Sequence, residues 1–317
     1  MSLVIGLSVV IVAFDGAKPR VLATRREGDL TALPFGAFDP HQHRTFELAL
    51  RGWVKEQTGF QLGYVEQLYT FGDRDRESPE ATLLDAAEEA RIVSVGYLAL
   101  TSEAERLPDA FEARWRGWYR HFPWEDRRAG PPAIIDQVIA PKLATWAAGN
   151  PDRLTRAETA FGLSDNVWPD EAVLERYELL YEAGLVAECA RDRNLPLPEV
   201  QLGEAMASDH RRILATAIGR LRAKVRYRPV VFELMPERFT LTALQSTVEA
   251  ILGQKLHKQN FRRGLERTEL VEGTGELESG TGGRPAELYR FKREALRKTG
   301  ARGLTAPVAR NAEKAGN

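Results

Sequence analysis

Cysteine is almost absent. Cys189 is the single one in 317 residues, so no intramolecular disulfide can form and no thiolate cluster can hold a metal. A small, buried apolar role suits it best. Long apolar runs are missing as well: the opening run LVIGLSVVIVAF has 12 residues, against the roughly 20 that a membrane span needs, and no basic region precedes it as in a secretory signal. The expectation is therefore a cytoplasmic protein with no disulfide framework and no membrane span. Histidine is scarce, and although His41 and His43 lie near Asp39, no third and fourth ligand stands close by, so no metal site is expected. A large net charge is absent too, but the value of −1 hides an uneven distribution. Between Ser208 and Lys298 there are 19 Lys/Arg against 11 Asp/Glu, a surplus of 8 positive charges, and the remainder of the chain carries −9. A basic module joined to an acidic one points to nucleic acid as the partner of the first.

The basic stretch has a readable order. Thr240 can cap a helix through Leu244, Val248, Ile251 and Leu252, and Gly253 suits the left-handed position that ends it. After the short turn QKLH, KQNFRRGLER reads as a second helix, with Phe261 and Leu265 facing inward and Lys258, Gln259, Asn260, Arg262 and Arg263 outward. LVEGTGELESGTGGRPAELYRF then reads as a hairpin around a glycine-rich tip. Helix, turn, helix and hairpin make a winged helix-turn-helix. Arginine suits guanine, asparagine and glutamine suit adenine, and lysine suits phosphate, so the expected DNA contacts are Lys258, Gln259, Asn260, Arg262 and Arg263. Arg284 in the wing and Thr240 and Thr242 as phosphate contacts complete the set, while Arg226 and Arg228 read equally as added backbone charge or as a solvated helix end.

Earlier in the chain, LVIGLSVVIVAF and RVLATRR read as paired strands, LTALPFGAFDPHQH as loop, and Thr45 as the cap of a helix that stops at Gly59. YVEQLYTF and RIVSVGYLALT are further strands, the second central in a sheet. A helix over PPAIIDQVIAPKLATWAAG ends at Gly149. The spacing then predicts two helices within 150–207, one of them spanning PDEAVLERYELLYEAGLVAECARD, a basic helix HRRILATAIGRLRAKVRY, and a strand over YRPVVFELMP. The expected organisation is an effector domain over 1–149, a helical insert over 150–207, a winged helix over 208–298 and a disordered tail over 299–317.

LPFGAF followed by RGWVKEQTGF resembles a Nudix box, a glycine turn and glutamate-bearing helix that hold divalent metal against a diphosphate. The match is damaged. Glu56 is kept, but Gln57 and Trp53 stand where metal-binding glutamates are expected, and Gly52 replaces the arginine. Mg²⁺ needs several hard oxygen ligands, so one glutamate beside a neutral amide makes a poor site. Together with YVEQLYTFGDRDR, FTLTALQ, ILGQKLHKQNFRR and GRPAELYRF, these segments resemble the Nudix-related transcriptional regulators of NAD metabolism, and within them an alphaproteobacterial branch.

The resemblance implies an α/β + α fold: an N-terminal Nudix-like α/β/α sandwich, a helical insert and the winged helix. It also implies a homodimer on operator DNA upstream of NAD biosynthesis genes, with no catalytic residues and no required cofactor. The implied effector is an adenine nucleotide: NAD, ATP or ADP-ribose. For that effector, Arg25, Arg26 and Arg51 lie near the glycine loop, Glu56 and Gln57 are remnants of the metal helix, and Phe71, Asp73 and Arg74 follow a strand facing the same cleft. Two other readings stay open at this point. One is a working pyrophosphohydrolase in which Glu47 or Glu66 replaces the missing ligands, and the other a scaffold whose winged helix binds protein or RNA.

Overall fold

The computed structural model describes residues 3–25, 30–73, 91–102, 112–278 and 285–294. Arg26, Arg74, Arg284 and the expected tail lie outside these residues.

Strand β1 (Leu3–Phe14) pairs antiparallel with β2 (Pro19–Arg25), as their β-branched runs predict. Two short strands, β3 (Thr31–Ala32) and β4 (Phe35–Ala37), stand where the sequence predicts loop. Pairing of β3 with β2 and of β4 with β1 overrides the local glycine and proline. Helix α1 (Phe46–Thr58) begins where Thr45 Oγ1 accepts from the Leu48 amide (3.2 Å) and ends at Gly59, which is left-handed (φ 71°). Strands β5 (Tyr64–Phe71), β6 (Arg91–Leu100) and β7 (Ala113–Gly117) complete a sheet of order β3-β2-β1-β6-β5, with β7 on β2. The β1–β6 pair is parallel and central. Strand alternation then sorts the core: Leu7, Val9 and Ile11 face Ala49, Leu50 and Val54 of α1, while Val10 and Val12 face the other way.

The helical region starts with a π-helical turn (Ile135–Ile139) that runs into α2 (Ala140–Trp146), because Pro141 has no N–H to donate to Gln137. Three helices follow where the sequence predicts two: α3 (Pro151–Phe161), α4 (Val173–Glu182) and α5 (Ala187–Asp192). Gly184, at φ 72°, breaks the long one. Helix α6 (His210–Tyr227) follows. The strand expected over YRPVVFELMP is instead a 3₁₀ turn (Val230–Leu234), flanked by Pro229 and Pro236, and Phe232 stacks on Phe291 with ring centroids 4.2 Å apart. Strand β8 (Phe239–Thr240), helices α7 (Leu241–Leu252) and α8 (Lys258–Glu266), and strands β9 (Val271–Glu278) and β10 (Ala286–Phe291) then give the order of a winged helix, with β10 between β8 and β9.

The expected boundary at 207/208 is not a break in packing. Helix α6 covers the sheet face opposite α1: Ile213 closes on Gly96, and the Leu33 amide donates to His210 Nδ1 (3.1 Å). One buried cluster runs from Val10 and Leu98 through Ile213 and Leu221 to Leu244 and Ile251. Apolar surface on the sheet needs a cover, and α6 supplies it.

Inside this cluster Glu125, Arg176 and Arg222 form a buried ionic knot. Glu125 accepts from Arg176 (2.5 and 2.9 Å) and from Arg222 (2.5 Å). Burial alone would raise the Glu125 carboxyl, but the two guanidinium charges outweigh it and hold it below its ordinary value. Arg222 also donates to the carbonyls of Ile251 (2.9 Å) and Asp170 (2.8 Å), and the Arg127 amide donates to the Gly253 carbonyl (2.7 Å). Gly253 therefore lies directly on the knot, left-handed at φ 71°, where a Cβ would overlap the Glu125 carbonyl oxygen. Gly253→Ala is expected to destabilise the protein by about 1–3 kcal/mol, through both backbone strain and this overlap, measured by denaturant unfolding of the full chain.

Candidate nucleic-acid interface and effector domain

Helix α7 starts where Thr240 Oγ1 accepts from the Ala243 amide (3.1 Å), with Thr240 itself buried. Against its expected role as a phosphate contact, Thr240 is buried and its hydroxyl oxygen caps the helix. Helix α8 seats Phe261 and Leu265 in the core and turns Lys258, Gln259, Asn260 and Arg263 to solvent. These four side chains make no bond to another side chain among the described residues, and with Arg262 and Glu266 most of them line one open depression. Arg262 differs from them. It is half-buried and donates to Thr242 Oγ1 (3.2 Å), so it braces α8 against α7, and Thr242 is its partner rather than a free hydroxyl. The wing strands carry carboxylates, with Arg290 on Glu272 (2.5 Å) and Arg238 on Glu276 (2.5 Å). Lys258 and Arg263 of α8 thus stand apart from these pairs at the surface.

The basic surplus of 208–298 has a second destination. Five cations of α6 pair with acids, nearly all of them outside that segment: Arg211 with Glu188 (3.1 Å), Arg212 with Asp73 and Glu178, Arg222 with Glu125, Lys224 with Glu66, and Arg226 with Asp170. Arg226 is therefore committed within the protein and does not add the expected charge toward DNA.

In the first domain, the loop and helix that resemble the box are bonded shut. The Trp53 ring lies over Gly36, where a Cβ would overlap it, and its Nε1 donates to the Ala37 carbonyl (3.1 Å). Gln57 accepts from the Phe35 amide through Oε1 (3.2 Å) and donates to the Phe35 carbonyl through Nε2. Two positions that would carry carboxylates thus hold the glycine loop by its backbone. A glutamate at 57 could accept but, ionised, could not donate.

Other expected effector contacts are occupied as well. Arg51 bonds Glu47 (2.8 Å) and the carbonyls of Leu62 and Gly63, tying down the chain after α1. Phe71 is buried, with the Arg212 guanidinium 5.3 Å from its ring centroid, and Asp73 pairs with that same arginine. Arg25 and Glu56 stay at the surface. His43 Nδ1 accepts from the Asp39 amide (3.0 Å), and its ring meets Trp53 edge-on. Of the described effector residues expected from sequence, Arg51, Gln57 and Asp73 thus have partners within the protein, and Phe71 is buried. Sequence reasoning read Trp53 only as a lost metal ligand, not as the ring that covers Gly36, and it missed the Glu125 knot.

Comparison with known proteins bears on the C-terminal domain first. Residues 231–291 match the NrtR DNA-binding winged helix domain. The C-terminal domain is an NrtR-type winged helix. It starts at the 3₁₀ turn, so α6 lies before the matched region. A relative from Acinetobacter baylyi, named ADPR responsive transcriptional repressor NtrR, is 45% identical over 86 residues, 27% of this chain. That match spans about a third of the relative's length (34%). In fold, the whole chain is similar to Shewanella oneidensis NrtR, with a TM-score of 0.55, 20% identity, and 95% of this chain and 98% of that one covered. The same protein complexed with a 27mer DNA gives 0.52 at 22% identity, covering 95% and 97%. A Nudix-like α/β domain followed by an NrtR-type winged helix is thus the architecture of this chain, built as in the Nudix-related winged-helix regulators.

Three substitutions test the two halves. Lys258→Ala should weaken binding to any duplex and lower the slope of log affinity against log salt by about one, whereas Arg263→Ala should cost about 1–3 kcal/mol on a specific site if it meets a base. Anisotropy titrations across a salt series separate the two. Gln57→Glu is expected to cost about 1–3 kcal/mol of stability by setting a carboxylate against the Phe35 carbonyl. The carbonyl would hold the new carboxyl's pKa above its unfolded value of about 4.3, so the loss should shrink as the pH falls toward about 4, where the carboxyl regains a proton to donate.

Proposed function

We propose that this protein is a transcriptional repressor that binds operator DNA through α8 and its wing and answers to an adenine nucleotide bound by the Nudix-like domain. The observation that carries the reading is the outward face of α8, where Lys258, Gln259, Asn260 and Arg263 stand clear of the ion pairs that consume the cations of α6. Among the three nucleotides ADP-ribose is the preferred effector of this proposal, supported by the name of the relative, ADPR responsive transcriptional repressor. Operators upstream of NAD biosynthesis genes, a homodimer and a cytoplasmic location belong to the same proposal. Two copies of α8 about one DNA turn apart would read a palindrome.

The Nudix-like domain is read as non-catalytic because Trp53 and Gln57 fill the loop that carboxylates would leave open to metal. Of the expected replacement ligands, Glu47 is paired with Arg51 and Glu66 with Lys224. An effector then acts only through its different affinity for the DNA-bound and free forms.

The test is fluorescence anisotropy at fixed salt, with duplexes from upstream of NAD biosynthesis genes and with shuffled duplexes, repeated with ADP-ribose, NAD and ATP. Preference for the upstream duplexes, shifted at least about fivefold by one nucleotide and accompanied by no Mg²⁺-dependent turnover, is expected. Equal binding to both duplex sets would remove the operator assignment, and turnover abolished by Glu56→Gln would restore the hydrolase.

A further inference from the structure

Helix α8 needs its pose fixed to within a small angle if its side chains are to meet base edges, and its own start offers little to fix it. His257, at the N-cap, makes no side-chain capping bond. The residue before it is held instead. Glu249 Oε1 accepts from the Leu256 amide (3.1 Å), Gln245 Nε2 donates to the Leu256 carbonyl (3.3 Å), and the same Gln245 Nε2 donates to Glu249 Oε1 (2.9 Å). Lys255 Nζ closes the other carboxylate oxygen (2.7 Å). The Glu249 carbonyl meanwhile accepts from the amides of Gly253 (2.9 Å) and Gln254 (3.2 Å).

Both polar groups of the Leu256 backbone are therefore gripped from one face of α7, while the Leu256 side chain is buried. Residues 242, 245 and 249 fall on that face, and Thr242 receives Arg262 from the body of α8. A buried carboxylate is costly unless its oxygens are satisfied. Here Glu249, 5% exposed, satisfies the turn in return.

We infer that the Gln245–Glu249 pair is the positioning element of the recognition helix, setting the angle at which α8 leaves the turn without itself touching DNA. The inference rests on the DNA-binding reading above for its consequence, though not for its geometry. It separates two properties that a general loss of structure would move together. Phosphate-binding cations survive a change at Glu249, so binding to arbitrary DNA persists. Discrimination between sequences, which needs α8 in register with base edges, falls.

The experiment uses the full chain and two probes: a duplex that the unaltered protein selects from a randomised pool, and the same duplex shuffled. Glu249→Ala is expected to reduce the ratio of the two affinities at least about tenfold while leaving the salt slope unchanged. Glu249→Gln keeps an acceptor for the Leu256 amide and should restore most of the ratio, which also removes the lost charge as an explanation. Hydrogen exchange gives the readout that does not depend on DNA: peptides covering 254–266 should lose protection in Glu249→Ala and regain it in Glu249→Gln, with α6 unaffected. Should Glu249→Ala lose protection throughout the chain, Gln245→Ala decides by the same two readouts, since it leaves the carboxylate paired with Lys255. An unchanged affinity ratio with unchanged exchange over 254–266 overturns the inference. If the unaltered protein selects no duplex, the DNA-binding reading fails instead, and exchange alone decides the positioning role.

Discussion

The carboxylate of Glu125 lies at no measurable exposure between two guanidinium groups that are equally buried, and the rest of the molecule is arranged around satisfying it. Replacing such a group by apolar residues can be neutral, but removing one partner strands a charge at a cost of about 3–5 kcal/mol. Each partner here comes from a different part of the chain. Glu125 follows β7, Arg176 is in α4, and Arg222 is in α6 and reaches on to the last turn of α7 through the Ile251 carbonyl. Apolar packing alone would let these elements slide. The knot admits one arrangement, so its contribution is specificity of assembly more than net stability.

The same constraint explains where reading the sequence went astray. Local patterns carried far: Thr45 and Thr240 cap the helices they were expected to cap, Gly59 and Gly253 end them, and Phe261 and Leu265 point inward. These are consequences of periodicity and of a few side-chain-to-backbone bonds within four residues. The surplus of positive charge was also legible, yet its meaning was not. Arg211, Arg212, Arg222, Lys224 and Arg226 look like a solvated basic stripe until the acids that face them are known. Those acids are separated from α6 by up to 158 residues, as Glu66 is from Lys224. No window along the chain contains both halves of such a pair, so a cross-domain ion pair reads as a nucleic-acid signature.

The candidate effector site was less legible for a related reason. Arg51 was suggested by proximity to the glycine loop in sequence and Gln57 as a remnant of the metal helix, but Arg51 is bonded to Glu47 and to the chain after α1, and Gln57 to the Phe35 backbone. Trp53 and Gln57 replace carboxylates with groups that donate as well as accept, or donate only, and the loop supplies carbonyls to match. What would be repulsive for two glutamates facing two carbonyls becomes a pair of bonds. The loop and helix are thereby held together by hydrogen bonds to backbone.

Coupling between a sensing domain and a DNA-binding domain requires an element whose position both can bias. Helix α6 meets that requirement on geometry. One side of it covers the sheet, through Ile213 at Gly96 and Lys224 at Glu66 on β5. Toward its other end Arg222 holds the end of α7, and Arg226 binds the Asp170 carboxylate, which also accepts from Gln254 (3.1 Å) in the turn before α8. A shift of α6 against the sheet therefore cannot leave the helix-turn-helix where it was: the turn is fixed to α6 by buried charge on one side and to α7 by Glu249 on the other. Close-packed cores respond to such displacements by changing arrangement rather than by stretching. An effector that favours one seating of α6 on the sheet over another would thus select, through bonds already in place, between two orientations of α8.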